Sequence, residues 1–166
     1  TLAWLSEKFG KPVSIIRTMP NTPAMVGEGI TAVCCEKDVP QKTLDDALKI
    51  LRSFGKAEIV PERLMDAVVS VSGSSPAFVF MFIEAMADAA VADGMPRPQA
   101  YTFAAQAVLG SAKMVLETGK HPAELKDMVC SPAGTTIEAV RVLEETGFRG
   151  SVMAAMKACT DKAKSV

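Results

Sequence analysis

The apolar stretch from residue 76 to residue 92 constrains the fold of this 166-residue chain more than any other feature. Its large apolar side chains are Phe78, Phe80, Met81, Phe82, Ile83, Met86 and Val91. On a helix these side chains cover most of the circumference, and such a helix is expected to be central in a packed structure. About 100 residues of further helix cannot wrap it completely, which predicts that a second copy of the chain covers the remainder.

Two carboxylates, Glu84 and Asp88, interrupt this stretch. A charged side chain at the centre of a bilayer costs about 2.5–3.5 kcal/mol, so we expect no membrane span here. The two residues lie one helical turn apart and are candidates for paired acid–base chemistry. A solvent-facing or interface role is the stronger expectation for both.

The sequence changes character near residue 60. Short β-branched stretches at Val13–Arg17, Ile30–Cys35 and Ala57–Val60 predict strands. Leucines spaced by three and four residues predict a helix over Val39–Ser53. Because so little sheet cannot stand alone, residues 1–60 are predicted to be the tail of an α/β domain whose beginning is absent.

The rest of the chain, residues 61–166, is predicted to be a single all-helical domain. Residues 72–74 are expected to break the chain between two helices, with Ser75 capping the second helix and Pro76 at its first position. The predicted helices are Glu62–Val71, Pro76–Ala92, Arg97–Glu117, Pro122–Val129, Thr136–Glu145 and Phe148–Lys164. The fold class is therefore mainly α.

Charge and cysteine spacing exclude several classes of function. The net charge is −1 and the isoelectric point is about 5.9, and no basic cluster is present to neutralise phosphates, so a nucleic-acid partner is not expected. No cysteine pair has C-x-x-C spacing and His121 is the only histidine, so no metal site is expected. Adjacent Cys34 and Cys35 should point to opposite faces of a strand. The cysteines are expected to be buried free thiols in a reducing cytoplasm.

The segment Gly27–Ala32 fits the dinucleotide pattern G-x-G-x-x-G/A on paper. That pattern binds phosphate only where it follows a strand and opens a helix. Here β-branched residues and two cysteines follow, which predict a strand. The segment is therefore interpreted as a turn before a strand.

The segment Ser131–Glu138 is the most informative part of the sequence for function. In one interpretation Thr135 caps a helix and Glu138 completes an ordinary capping box. In the other, the exposed amides and dipole of the helix N-terminus bind a small carboxylate, with two threonine hydroxyls beside them. The residues alone leave these alternatives equally open.

Three other segments have both a structural and a functional interpretation. Ser72–Pro76 is either a helix break or a second anion-binding helix start. Met19–Pro23 leaves a strand, where open α/β sheets bind ligands, but it also suits a turn braced by prolines. His121 precedes Pro122 and is expected to have a structural role at a helix start.

The stretch Leu125–Ala139, followed by Leu143-Glu144 and Gly147–Arg149, resembles the signature of the pyrroline-5-carboxylate reductases. Arg17–Pro23 and Ser72–Phe78 are similar to two further motifs of that family. The resemblance covers essentially the whole chain. It implies the last strands of a Rossmann-type domain followed by a helical domain of the 6-phosphogluconate-dehydrogenase-like type, which dimerises and often assembles further.

The resemblance also implies an activity. The family reduces 1-pyrroline-5-carboxylate to L-proline, the last step of proline biosynthesis, by hydride transfer from NADPH or NADH. The G-x-G-x-x-G unit of its cofactor domain is missing from these residues. The chain is therefore expected to supply the substrate-binding and dimer half, and to be inactive or nearly so alone.

The resemblance assigns roles by motif. Ser131, Thr135 and Thr136 would hold the substrate carboxylate and ring nitrogen, with the Val129 backbone nearby, and Thr136 would be the catalytic residue. The residues on the nicotinamide side would be Met19, Pro20 and Asn21. The active site would lie between the nicotinamide of one subunit and the helical domain of its partner.

The sequence departs from the family pattern at two positions. Ala133 stands where many members have glycine, a change that the turn tolerates if φ of Ala133 is negative. Ser75 stands where some members have a second glycine.

Two alternative functions are also open. The first alternative is a non-catalytic helical dimerisation module. The second is a related dehydrogenase of 2-hydroxy acids, in which Lys113 would be the acid–base residue.

Overall fold

The computed structural model describes residues 1–165 and divides into two compact units, Thr1–Ala77 with Ala155–Val166, and Phe78–Ala154. The α-helices are α1 (Leu2–Phe9), α2 (Gln41–Leu51), α3 (Met65–Val68), α4 (Ser75–Ala92), α5 (Arg97–Thr118), α6 (Pro122–Val129), α7 (Thr135–Glu145) and α8 (Phe148–Lys164). The strands are β1 (Ile16–Met19), β2 (Gly29–Cys35) and β3 (Gly55–Ile59). The mainly α fold class is confirmed, as are the predicted bounds of α6 and α8.

The three strands form one sheet in the order β1-β2-β3. β1 runs antiparallel to β2, whereas β3 runs parallel to β2 and is reached through α2, as a parallel connection requires. The prediction that the first strand begins at Val13 is wrong, because Ile16 pairs with Cys35, the last residue of β2. Residues 13–15 therefore lie beyond the end of the strand that would pair with them.

Side chains of β2 alternate between the two faces of the sheet. Ala32 and Cys34 pack in one buried cluster with α1, whereas Val33 and Cys35 face the cluster formed with α2. The prediction that the adjacent cysteines point to opposite faces is thus confirmed. Burial, followed by the nearby Glu62 carboxylate, raises the pKa of the Cys34 thiol, which marks it as a structural rather than a reactive cysteine.

Helix α1 has no counterpart among the sequence predictions. The Thr1 hydroxyl accepts a hydrogen bond from the Trp4 amide (3.2 Å), and Gly10 ends the helix in the left-handed conformation (φ 61°). Leu2 is its only buried residue. Eight residues with one buried side chain give too weak a periodicity to be recognised in the sequence.

The Glu62 carboxylate joins three elements of the first unit. Its Oε1 accepts hydrogen bonds from the Leu2 backbone amide (2.6 Å) and from Arg17 Nη1 (2.9 Å). It therefore places a negative charge at the N-terminus of α1, where the helix dipole favours it, and ties β1 to the same point. The Leu2 hydrogen bond, supported by Arg17, lowers the pKa of Glu62.

The predicted break at residues 72–74 is wrong. A 3₁₀ turn (Glu62–Leu64), α3, a π-helical segment (Val69–Ser74) and α4 follow one another as a single helix from Glu62 to Ala92. Ser75 is not an N-cap, because its hydroxyl donates back to the Val71 carbonyl (2.5 Å). Pro76 lacks an amide hydrogen and would crowd the carbonyl of Ser72 in a regular helix, and the wider π turn just before it relieves that conflict.

The second unit buries very little. Its only buried residues are Ala87, Ala100 and Ala104, although it contains most of α4 and all of α5, α6 and α7. In a single copy the large side chains of α4 stay partly or fully exposed, as is expected if a second copy covers the remainder of the helix. Phe80, Met81, Phe103, Leu116 and Met153 are among the most exposed large apolar side chains of this unit. A helical unit with this exposure is completed only by another surface.

By length and composition, the helix Glu62–Ala92 could also cross a membrane. Only 6 % of its most apolar 18-residue stretch is buried. A helix buried in an interface between two proteins has the same composition, so this property does not distinguish an interface helix from a membrane-spanning helix. Asp88 near its end forms an ion pair with Arg97 at the start of α5. The expectation that the helix does not span a membrane stays a prediction.

Replacing Glu62 by glutamine tests the junction of α1, β1 and the long helix. We expect Glu62→Gln to lower the free energy of unfolding by about 1 kcal/mol, because a charge-assisted hydrogen bond and a partly exposed ion pair become neutral contacts. Because the folded-state pKa is lowered, this contribution is complete above the unfolded pKa of about 4.3 and disappears as the pH falls through the folded pKa. Urea denaturation monitored by Trp4 fluorescence measures it.

Glu7→Gln is the matched control, because Glu7 lies on α1 but pairs only with exposed Lys8 (3.6 Å). The control is expected to change stability by less than about 0.5 kcal/mol. If the difference between Glu62→Gln and the unmodified chain were the same well below pH 4 as at pH 7, the charge of Glu62 would not be the cause.

Candidate functional site

Two regions are candidates for parts of one functional site, and each is called a half-site. The first half-site is the loop at the end of β1. Asn21 has an extended backbone (φ −133°, ψ 165°) and precedes the 3₁₀ turn Thr22–Val26. Its side chain does not cap that turn, because Oδ1 accepts a hydrogen bond from the Ile30 amide (2.9 Å). This bond pulls the loop back onto β2 and fixes the position of the Asn21 amide group. Gly27 ends the turn before β2, so the rejection of a dinucleotide fingerprint there is confirmed.

A cavity of about 510 Å³ opens beside this loop, entirely within the first unit. Its polar lining includes Asn21, Glu58, Ser72 and Ser75, and the remaining walls are mostly aliphatic. Aliphatic walls with a few fixed polar groups are typical of sites for flat, partly polar rings. The lining therefore suits a small, partly polar ligand.

The three residues predicted for the nicotinamide side have different surroundings. Asn21 lines the cavity, and Pro20 is exposed on the loop. Met19 is half-buried against the core, and the end of its side chain faces Gly73, where an added Cβ would lie 2.7 Å from Met19 Cε. Met19 thus contacts the π-helical segment that forms part of the cavity wall.

The second candidate half-site is the turn before α7, in the second unit. The predicted capping box is wrong: the N-cap is Gly134, with an extended backbone (φ −81°, ψ 168°) and no side-chain cap. Thr135 is the first residue of α7 and Thr136 the second, so Glu138 is one position too far along to reach the cap amide. Glu138 instead pairs with Arg141 (3.0 Å).

The turn itself is tightly folded. The Gly134 amide donates to the Ser131 carbonyl (3.1 Å), and Ala133 has a positive φ of 55°. The condition under which the turn would accept alanine without strain, a negative φ, is therefore not met, and a left-handed conformation costs a residue with a side chain about 1–2 kcal/mol. A Cβ at Gly134 would lie 2.3 Å from Ser131 Oγ, so the Ser131 hydroxyl lies directly against the N-cap.

These features bring together donors that suit an anion. The first amides of α7 have no capping side chain, and the positive end of the helix dipole points the same way. Thr136 is half-buried, whereas Ser131 and Thr135 are exposed, and Val129 ends α6 just before the turn. The Glu138 carboxylate is engaged by Arg141, whose pKa is raised by Glu145 and Glu138. Chemically, the turn is suited to binding a small carboxylate.

Other candidates from the sequence do not assemble into sites. Glu84 is exposed and forms no ion pair within residues 1–165, whereas the Asp88 carboxylate is bound by Arg97. Lys113 is exposed and forms an ion pair with Glu117 one helical turn along (3.5 Å). The His121 Nδ1 accepts a hydrogen bond from the Ala123 amide (3.2 Å), which confirms a structural role at a helix start. In the described chain no three His, Cys, Asp or Glu residues gather as a metal site.

Sequence reasoning missed the π-helical segment and its contacts with α8. Thr160 Oγ1 donates to Ser70 Oγ (2.9 Å), and Cys159 Sγ lies 3.1 Å from Ser74 Oγ. Ser70 is one of two buried polar residues of the described chain. The sole signal in the sequence is the density of serines before Pro76, which also suits a helix break.

Comparisons with known proteins identify the family. Residues 62–166 match the family model described as pyrroline-5-carboxylate reductase dimerisation. The pyrroline-5-carboxylate reductase of Escherichia coli is 61 % identical over the whole chain, and that of Methanosarcina acetivorans is 51 % identical over 92 % of it. The chain spans 62 % and 56 % of the lengths of these relatives.

Two solved structures are similar over nearly the whole chain. A pyrroline-5-carboxylate reductase from Coxiella burnetii has a TM-score of 0.93 at 34 % identity, covering 99 % of this chain and 62 % of that one. The enzyme from Plasmodium falciparum, solved with NADP bound, has a TM-score of 0.91 at 34 % identity, covering 99 % and 66 %. The resemblance seen in the sequence motifs is thereby confirmed, and the chain belongs to the pyrroline-5-carboxylate reductase family.

Proposed function

We propose that the chain is the dimer-forming and substrate-binding part of a reductase that converts 1-pyrroline-5-carboxylate to L-proline with NADPH or NADH. The observation that carries this proposal is the uncapped N-terminus of α7, with Ser131, Thr135 and Thr136 around it. The free thiols are consistent with a cytoplasmic enzyme. Nucleic acids and membranes are not proposed as partners.

The residues of the turn would act by binding and orientation. The first amides of α7 and the Thr136 hydroxyl would hold the substrate carboxylate, and Ser131 and Thr135 would donate to the carboxylate or the ring nitrogen. When bound, NADPH or NADH supplies the hydride that the C=N carbon accepts. A fixed carboxylate aligns the substrate ring for that transfer, and alignment is the main contribution that such a site makes. In the first unit, Asn21 and the serines of the cavity wall would hold the nicotinamide side.

A homodimer would complete both the fold and the site. The exposed apolar faces of α4 and α5 are the surface that a second copy would cover, and dimers of this kind can assemble further. The two half-sites lie in different units of the chain. The family resemblance assigns them to different subunits of the dimer, so each active site would need both copies.

The same exposed helical surface favours one other function, a dimerisation module without catalysis. Such a module would use α4 and α5 in the same way but would not need the uncapped turn before α7. It predicts a stable dimer that binds neither nucleotide nor substrate.

The first prediction of the proposal concerns activity. NADPH-dependent reduction of 1-pyrroline-5-carboxylate is measured for the chain alone and for the chain joined to the part of the Escherichia coli relative that it does not cover. We expect reduction only by the joined protein, and a dimer for both proteins by sedimentation. Dimers without any reduction would favour the dimerisation module, and reduction by the chain alone would contradict the proposed division of roles.

The second prediction concerns the sharing of active sites. Asn21→Asp keeps the acceptor for the Ile30 amide but puts a charge into the cavity, and Thr136→Ala removes a hydroxyl of the turn, at a cost of about 1–3 kcal/mol in transition-state binding. Each variant of the joined protein is expected to be strongly impaired. After dissociation and reassociation of a mixture, about one quarter of the unmodified activity should return, since half the dimers then hold one intact site.

A mixture of each variant with itself, taken through the same steps, is the control. No recovery in the mixed sample, with dimers formed, would mean that both half-sites come from one copy.

The third prediction concerns Gly134. The backbone of Gly134 suits alanine, but the added Cβ would displace the Ser131 hydroxyl. We expect Gly134→Ala to raise the Michaelis constant for 1-pyrroline-5-carboxylate about tenfold, the equivalent of one polar contact, with little change for the nucleotide. Steady-state kinetics of the joined protein measures both constants.

Ala133→Gly is the matched control, because it changes one methyl group in the same turn and suits the positive φ. Its Michaelis constants should stay within about twofold of the unmodified values. If Gly134→Ala impaired a protein that already carries Ser131→Ala as much as it impairs the unmodified one, displacement of Ser131 would not be the cause.

A further inference from the structure

The π-helical segment Val69–Ser74 is fastened to α8 by hydroxyl groups. Ser70 is 3 % exposed, and its hydroxyl donates its one proton to the Ala67 carbonyl (2.9 Å). Towards Thr160 the Ser70 oxygen can therefore only accept, and Thr160 Oγ1 must donate across 2.9 Å. A side chain of the same shape without a hydroxyl could not replace Thr160 in this bond.

The segment and the residue after it divide their side chains among three neighbours. Ser70 and Ser74 face α8, Gly73 faces the Met19 side chain, and Ser72 and Ser75 line the 510 Å³ cavity. The hydroxyls of the two cavity serines donate to the backbone one turn earlier, at 3.2 Å and 2.5 Å. These two side chains are thus presented by the backbone of the segment, and their direction depends on its geometry.

A π turn holds this geometry only under constraint. It contains one residue more than a regular turn of helix, and its loss would rotate the residues on one side of it by about 100° relative to the other. Such a rotation would turn Ser72 or Ser75 away from the cavity. The contact with α8 is a polar constraint on this segment.

We propose that Thr160 is a positioning residue for the cavity: through its hydrogen bond to Ser70 it holds the π-helical segment in the geometry that presents Ser72 and Ser75 to the nicotinamide of the nucleotide. This role rests on the proposed function. Thr160 acts only through Ser70, since it does not line the cavity. Cys159 contributes less, because a thiol is a weak hydrogen-bond donor.

The test compares four variants. Thr160→Val keeps the shape of the side chain and removes the donor, and Thr160→Ser restores the donor. Thr43→Val makes the same change at an exposed position of α2 and is the matched control. Ser70→Ala removes the acceptor from the other side, so that the contact is also tested without altering α8.

Two measurements are made on each variant. Hydrogen–deuterium exchange of amides 69–75 in the chain should become about tenfold faster in Thr160→Val and Ser70→Ala, and stay unchanged in Thr160→Ser and Thr43→Val. In the joined protein, Thr160→Val should raise the Michaelis constant for NADPH about five- to tenfold and leave that for 1-pyrroline-5-carboxylate unchanged. A general loss of stability would not separate the two constants in this way.

Each other outcome contradicts a defined part of the proposal. Unchanged exchange in Thr160→Val would mean that the hydrogen bond does not hold the segment. Faster exchange with unchanged constants for both ligands would mean that the segment does not position the cavity. An unmodified joined protein without reductase activity would overturn the proposed function and the role of Thr160 in it, whereas the exchange data would still decide whether the segment is held.

Discussion

The apolar surface of α4 and α5 is the constraint on which the rest of the structure depends. In one copy, the second unit buries three alanines and exposes side chains as large as Phe80 and Phe103. Ordering a residue costs about 1–2 kcal/mol of conformational entropy, and three buried alanines cannot offset that cost over the whole unit. The helices therefore need a second surface before they form a stable body, and association and folding of this unit are expected to be one process.

The two half-sites hold their donors by different physical means. At the end of β1, a side chain fixes the loop, because the Ile30 amide donates a hydrogen bond to Asn21 Oδ1. Before α7, the backbone supplies the donors, since the N-terminus of the helix has no side-chain cap and Ala133 adopts the left-handed conformation that forms the turn. Local strain of this kind persists only where the surroundings hold it, and it is concentrated at functional positions in proteins. Such strain is consistent with a binding turn.

Much of the fold could be predicted from local patterns. The alternation of Cys34 and Cys35, the turn at Gly27 and the bounds of α6 and α8 follow from periodicity, glycine and proline alone. The predicted cap of α7, Thr135, lies one residue after the observed cap, Gly134. This shift of one residue leaves the helix N-terminus without a capping box. The continuous helix through residues 72–74 could not be predicted, because the serines that stabilise it bond to α8, about 90 residues further along the chain.

The outer strands of the sheet bear on how copies of the chain meet. β1 has four residues and β3 has five, and polar or charged side chains such as Arg17, Lys56 and Glu58 lie along them. Short, charged outer strands are poor templates for pairing with a strand of another molecule. Among the surfaces that residues 1–165 present, the helices rather than the strands β1 and β3 therefore favour the pairing of two copies.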